Sequence, residues 1–311
     1  MSTSHKRILL AVDGSNASLE AVRYVARIFP TARTEVILFH VAAHIPGIFR
    51  HISEGLRDRT APARAWVHET HRTMSAFMDD ATFELTQAGF DLDAVTAKIE
   101  RQHHGVVGDI IDEAERGYDA VVVSREGRRR TKDALVGKTG NRLMQKLHDM
   151  PVIVVNGTPS TQKIMIALDS SEDASRGVAC VSYLLAEAPT DITLCHVIKS
   201  SMMYYPPASL YYAEGIDESW AARNRERIDP WIEKAQGCLV GAGVAPERIS
   251  VSILEDCISR ATGMLDEARK TGIGTIVTGR RHLNTLESWL YGSVSRKIVN
   301  WARGMAVWVA A

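Results

Sequence analysis

Two stretches of the chain gather residue types suited to an anionic ligand. Gly279-Arg280-Arg281-His282 is followed, nine residues later, by Gly292-Ser293-Val294-Ser295. Glycines let a backbone approach a phosphate closely or adopt positive φ, and serine hydroxyls supply donors. If Ser293 opens a helix, the free N–H groups and positive dipole end of that helix favour negative charge too. An earlier stretch has the same frame in poorer form: Ser124-Arg125-Glu126-Gly127, nine residues, then Gly137-Lys138-Thr139. There Arg128, Arg129, Arg130 and Lys138 add positive charge and Glu126 negative, so the net field depends on geometry. Chance often supplies such a pattern, and its weight depends on where the fold puts it.

Two carboxylates stand out beside these glycines. Asp13 and Asp169 each close a short apolar run, Ile8 to Val12 and Ile164 to Leu168. A carboxylate there serves either a ligand or the cap of a following helix, and both readings stand. Other polar groupings have plainer readings. His68-Glu69-Thr70-His71 has the wrong spacing for a metalloprotease helix and reads as a solvated helix face. His103-His104 reads as a polar loop with a site role as the alternative, and His40 and His196 as sharing a packing or hydrogen-bonding duty. No Ser-His-Asp order or nucleophile elbow is visible, so no catalytic residue and no metal ligand is assigned.

The elements that must position these residues come from an internal repeat. Lys6 to Asp13 (KRILLAVD) returns as Gln162-Lys163 to Asp169 (QKIMIALD) 156 residues on, and Val36 to Val41 returns as Ile192 to Val197. Asp119 to Ser124 returns as Gly274 to Gly279 at an offset of 155. Each half alternates short Val/Ile-rich runs with longer amphipathic stretches, which predicts β-α-β-α-β-α-β-α-β and a parallel sheet covered on both faces. Predicted strands lie near 7–13, 34–41, 94–99, 119–124 and 152–156, then near 163–169, 191–198, 249–254, 274–279 and 306–310. Predicted helices lie near 17–28, 62–88, 106–116 and 138–148, then near 172–187, 216–240, 258–271 and 293–302. The expected units are residues 1–157 and 162–311, joined at Gly157 to Thr161. Doubly wound sheets bind ligands at the carboxyl ends of strands where the order reverses. That rule selects Asp13 and Asp169, Val41 and Val197, and the loops leaving the fourth strands. The long segments His44 to Thr60 and Ser200 to Gly215, the latter with Tyr204, Tyr205, Tyr211 and Tyr212, read as packing or contact loops.

Composition narrows the function classes. The chain has 311 residues, with 37 Lys plus Arg balanced by 37 Asp plus Glu. That balance lacks the footprint of a nucleic-acid or anionic-membrane binder. No apolar run approaches the ~20 residues needed to cross a bilayer, and a polar start to the chain predicts a cytoplasmic protein. Cys180, Cys195, Cys238 and Cys257 show no C-x-x-C spacing and are expected to be buried, reduced thiols.

Both halves resemble the universal stress protein family, and the whole chain resembles its tandem members. The resemblance is carried by Ala11-Val12-Asp13-Gly14-Ser15, by the two glycine frames above, and by Val294 to Val299 (VSRKIV). It implies two tandem five-stranded Rossmann-like domains of strand order 3-2-1-4-5, with pairing through the last strands. It also implies an adenine nucleotide such as ATP, with Mg accompanying it. The nucleotide-binding positions carried over are Ala167, Asp169, Val197, Gly279, Arg280, His282, Gly292, Ser293, Val294 and Ser295 in the second half. In the first half they are Ala11, Asp13, Val41, Gly127, Gly137, Lys138 and Thr139. The first frame has Ser124 for its first glycine and Lys138 for its Ser/Thr. Lys138 holds a phosphate there, or that site is dead. In the second frame only His282 replaces a glycine, costing roughly 1–2 kcal/mol if the backbone there is left-handed. The second half is therefore the better site. The function expected is a stress-response binding or regulatory module acting as an intramolecular pseudo-dimer, with a further homodimer allowed. The alternatives are a scaffold with decayed sites and, ranked last, a nucleotide-hydrolysing enzyme.

Overall fold

The computed structural model describes residues 5–42, 61–125, 138–186, 188–200, 216–280 and 293–311. In the first half β1 (Lys6–Ala11), α1 (Asn16–Ile28), β2 (Thr34–Ala42), α2 (Ala61–Gln87), β3 (Val95–Arg101), α3 (Val106–Ala114), β4 (Ala120–Ser124), α4 (Lys138–Lys146) and β5 (Val152–Asn156) follow in order. The second half repeats them as β6 (Lys163–Leu168), α5 (Glu172–Leu184), β7 (Asp191–Lys199), α6 (Ile216–Gly241), β8 (Ile249–Cys257), α7 (Arg260–Thr271), β9 (Thr275–Gly279), α8 (Ser293–Trp301) and β10 (Met305–Ala310). Within each half the strands are parallel and ordered 3-2-1-4-5. This is the doubly wound α/β fold that the alternating pattern predicts.

The sheet has two packed faces because its strands alternate two sets of apolar residues. Ile8 and Leu10 of β1 join one core with Val22, Val25, Met78 and Leu85 from α1 and α2, and with Val178, Val181, Ile228 and Leu239 from α5 and α6. Leu9 points the other way, into a core with Ile110, Leu143, Met264, Leu265 and Ile298 from α3, α4, α7 and α8. Both cores run through both halves. Every residue of β5 and β10 is buried, which is why Val152 to Val155 and Met305 to Ala310 read as unbroken apolar runs.

The halves meet where β10 pairs antiparallel with β5, Val307 opposite Val154, giving one continuous ten-stranded sheet. Side chains lock this seam. The Trp308 indole N–H donates to the Tyr24 hydroxyl at 2.7 Å, and that hydroxyl lies 2.9 Å from Thr275 Oγ1. All three residues are at most 1% exposed, so each polar atom depends on the others for its hydrogen bond. Trp308 also stacks on Phe29, ring centroids 5.7 Å apart. At the rim the Tyr183 hydroxyl donates to Asp119 at 2.7 Å, and the Lys6 ammonium lies 3.1 Å from the centre of the Tyr183 ring. Next to the linker, the Arg27 guanidinium donates to the Pro159 carbonyl and Gln162 donates to the Arg27 carbonyl at 2.7 Å.

The halves differ in how they bury one carboxylate. In the first, Glu113 on α3 is 4% exposed and accepts from Lys98 at 2.6 Å and from the Tyr118 hydroxyl at 2.5 Å, with Arg116 at 3.1 Å. Burial alone would raise the Glu113 carboxyl, but the bonds from Lys98 and Tyr118 outweigh it and hold the group below its usual range. In the second half the matching stretch Met264-Leu265-Asp266-Glu267-Ala268 keeps the glutamate, but Glu267 is half-buried where Glu113 is buried.

Candidate functional site

The carboxyl edge of each half is assembled by strand register. Ala11 pairs with Phe39 on one side and Val123 on the other, so Asp13, Val41 and Arg125 come level two residues further on. In the second half Leu168 pairs with His196 and Ile166 with Val277. Asp169 is therefore level with Val197, and Leu168 with Gly279. The order reverses here, between β2 and β4 and between β7 and β9, which is where such folds place a ligand.

In the first half the turn after β1 engages Asp13. Asp13 Oδ1 accepts from the Ser15 N–H at 3.1 Å and from the Ser15 and Ser18 hydroxyls at 2.5 Å each. Ser15 caps α1 by accepting the Ser18 N–H at 3.2 Å. The N-cap of α1 is thus Ser15, and Asp13 holds that cap in place through its contacts with Ser15 and Ser18. Gly14 makes the turn possible: its φ of +74° lies in the left-handed region, and a Cβ there would come 3.0 Å from Met74 Cε. In the second half the Ser171 hydroxyl donates to Asp169 Oδ1. Ala174 stands where Ser18 stands in the first half.

His40 and His196 do share a duty. His40 Nδ1 lies 2.8 Å from the Val12 carbonyl and His196 Nδ1 2.8 Å from the Leu168 carbonyl, each tying the end of the second strand to the end of the first. Burial pushes the His196 imidazole below its ordinary value; the Leu168 bond and Asp169 oppose this, while Arg260 and Arg227 reinforce it. The ring is neutral at physiological pH. Those two arginines are contributions that sequence reasoning missed. Arg260 opens α7, where Val106 opens α3 in the first half, and this exchange of an apolar for a cationic residue was the available signal.

The other predicted positions fall as follows. Gly279 ends β9, Ser293 is exposed at the start of α8, Val294 is half-buried, and Ser295 is 5% exposed. Val41 and Val197 are buried, whereas Ala11 and Ala167 are half-buried. Lys138 and Thr139 open α4. Gly127, Gly137, His282 and Gly292 lie outside the described residues, as do Glu126, Arg128 to Arg130, Arg281 and the two long loops. Arg280 is described, and its N–H bonds the Ala310 carbonyl at 2.9 Å. Its side chain runs towards the seam, placing Nη1 3.3 Å from His148 Nδ1.

The remaining groupings make local contacts. Asp109 accepts the N–H groups of His103 at 2.9 Å and His104 at 2.7 Å, closing the turn before α3, and His104 Nδ1 lies 2.8 Å from Asp112. His71 and Glu69 bond Ser75 and Arg72 on an exposed helix face. The four thiols are free, but not all are buried: Cys195 is buried and its thiol pushed up to about 12, whereas Cys238 is exposed because it lies on the outer face of α6. No helix among the described residues is long and apolar enough to cross a membrane.

The model of the universal stress protein family matches residues 4–156 and again residues 160–309. The chain belongs to the universal stress protein family. As a tandem universal stress protein it has whole-length structural counterparts. A universal stress protein from Archaeoglobus fulgidus DSM 4304 is 14% identical, with 98% of this chain and 97% of that chain covered and a TM-score of 0.62. A functionally unknown protein from Pseudomonas aeruginosa PAO1 is 15% identical over 99% of this chain and 93% of that chain, with a TM-score of 0.59. At these identities the likeness establishes the tandem fold. A universal stress protein solved in complex with cAMP matches 48% of this chain with 96% of its own, at 15% identity and a TM-score of 0.33. None of the curated proteins compared matches the chain.

Proposed function

We propose that this tandem universal stress protein is a stress-response binding module that takes an adenine nucleotide in its second half. The observation that carries the reading is the register that sets Asp169 beside Val197 at the reversal of strand order, with Gly279 ending the adjoining strand and Ser293 opening α8. A nucleotide fits the chemistry of that edge. Asp169 and the Val197 backbone suit the polar groups of a nucleoside, while the α8 start, Ser293 and Ser295 suit phosphate oxygens. Mg would arrive with the phosphates, and no side chain is assigned to it. The first half, with Asp13 committed to Ser15 and Ser18, serves as a scaffold. The working units are residues 1–157 and 162–311 in a cytoplasmic protein, paired within one chain.

Calorimetry with ATP, ADP, AMP and adenosine tests the reading. Nucleotide heat should survive Asp13→Ala and fall at least tenfold in affinity in Asp169→Ala. Equal binding by wild type and Asp169→Ala, or no heat with any of the four, would reject it. The second outcome would favour a scaffold with two decayed sites.

A further inference from the structure

The first half carries a grouping that its sister lacks. His104 Nδ1 lies 2.8 Å from Asp112 Oδ2, and Asp109 stands beside them, so that one ligand atom from each of the three falls within 4.8 Å of the others. Among the described residues this is the one such grouping of metal-ligating side chains. It is built by the turn before α3 and the start of that helix, from an exposed His104, an exposed Asp112 and a buried Asp109. At the matching places before and on α7 stand Ile258, Gly263 and Asp266, with Ile258 75% exposed. Gly108 makes the difference. A Cβ there would come 2.9 Å from the His104 Cβ, so glycine is what lets this histidine lie against the first turn of α3; the second half has Thr262 at that place. Glycine inside a helix costs about 1 kcal/mol relative to alanine, and neither the fold nor the nucleotide reading accounts for it. Nor does the exposed pair of His104 and Asp112 hold the fold together, since such pairs contribute little.

We propose that His104, Asp109 and Asp112 form a zinc site that ties the turn after β3 to α3. An imidazole with two carboxylates suits Zn2+ and is poorly matched to the all-oxygen shells of Mg2+ and Ca2+. Ligands held roughly 2.0–2.2 Å from one tetrahedral Zn2+ lie about 3.3 Å from each other, so His104 Nδ1 and Asp112 Oδ2 are already near bridging distance. Asp109 Oδ1 accepts the His104 N–H and Oδ2 the His103 N–H, and each oxygen keeps a lone pair for an ion. Those bonds also fix the carboxylate before any ion arrives, as outer-shell partners do. The ion replaces the proton between Nδ1 and Asp112, and that proton leaves to solvent. The two carboxylates outweigh the roughly half positive charge at the start of α3. With three protein ligands the fourth position goes to water, and the bound ion is exchangeable. The Gln102 N–H bonds the Ala42 carbonyl at 3.0 Å, so the zinc-tied turn adjoins the end of β2, next to Val41 on the first half's carboxyl rim. The first half then responds to a metal while the second takes the nucleotide, and neither role depends on the other.

Calorimetry of the full chain with ZnCl2, free of nucleotide, tests this, with MgCl2 and CaCl2 alongside. The tightest site of wild type should take one Zn2+ per chain, and the other two salts should give no heat. His104→Ala and Asp112→Asn should each weaken that site at least about tenfold. Both positions are exposed, so the metal-free melting temperature of either variant should match wild type. Gly108→Ala keeps every ligand but pushes His104 off α3, and should weaken zinc as well. His71→Ala removes an imidazole from the exposed face of α2 and should leave zinc affinity unchanged. No zinc heat in wild type, full affinity retained by either His104→Ala or Asp112→Asn, loss of zinc in His71→Ala, or equal heat with CaCl2 would overturn the proposal. Nucleotide heat comes from the other half, so its presence or absence judges the nucleotide reading separately.

Discussion

Removing one oxygen from the seam should destabilise the whole molecule. In Tyr24→Phe the ring still fills its place, but the Trp308 indole N–H loses the acceptor now 2.7 Å away and Thr275 Oγ1 loses its partner at 2.9 Å. Trp308 and Thr275 are both 0% exposed, so water cannot replace the lost oxygen. An orphaned buried polar group costs about 1–3 kcal/mol, and the hydroxyl of Thr275 can rotate towards another acceptor while the indole N–H cannot. A loss of about 2–3 kcal/mol follows, or a fall of roughly 4–6 °C in midpoint for a chain of this size. Urea unfolding followed by tryptophan fluorescence, with the linear slope compared between variants, measures it. The cycle through Trp308→Phe and the double variant should return a coupling energy of at least about 1 kcal/mol, since the two groups are in direct contact. A change under about 0.5 kcal/mol in Tyr24→Phe, or no coupling in the cycle, would refute the claim that this bond holds the halves together.

Other outcomes follow from groups elsewhere in the fold. Glu113→Gln should cost about 1–3 kcal/mol near pH 7 and flatten the acid limb of the stability curve. The folded carboxyl is held below its unfolded value, so its contribution is present above the unfolded pKa near 4.3 and is lost as pH falls through the lower folded value. Melting curves from pH 7 to pH 3 would check this, and a variant whose acid limb matches wild type would contradict it. Gly14→Ala should cost about 1–2 kcal/mol because the site has a φ of +74°, measured by the same urea titration; an unchanged midpoint would mean that the turn relaxes. Under native conditions a thiol reagent should modify Cys238 first and Cys195 only on unfolding, and mass mapping of the first labelled peptide decides between them.

The secondary structure was legible because each half is built from strands buried on both faces and from helices with one apolar side, and these leave different periods in the sequence. The strand order and the β5–β10 pairing came from the family resemblance and agree with the sheet. Two strands run longer than their apolar runs imply: β3, expected to end near 99, continues to Arg101, and β8 goes further still. Expected to end near 254, β8 continues to Cys257 through a register irregularity opposite Val197 to Lys199, just where Asp256 takes a φ of +53°. A bulge of that kind leaves no hydrophobic signature. The candidate site was legible only in its backbone frame. Asp13 reads as ligand or cap in the sequence; in the fold Ser15 caps α1 and Asp13 accepts from the Ser15 and Ser18 hydroxyls, a contact that depends on where Ser18 points. Arg280 was assigned to phosphate from its neighbours in sequence, whereas its one bonded partner lies 132 residues away. Periodicity carries no information about which side chain crosses a seam.

The antiparallel joint between β5 and β10 also decides how the molecule meets the outside world. Strands of one half run up where those of the other run down, so the two carboxyl rims open at opposite ends of the slab, a strand length or roughly 20 Å apart. No single lid can cover both. A partner that grips one rim leaves the other free, and news of occupancy has to travel through the shared sheet or along α4, whose first turn faces one rim while its last leads to His148 beneath the other.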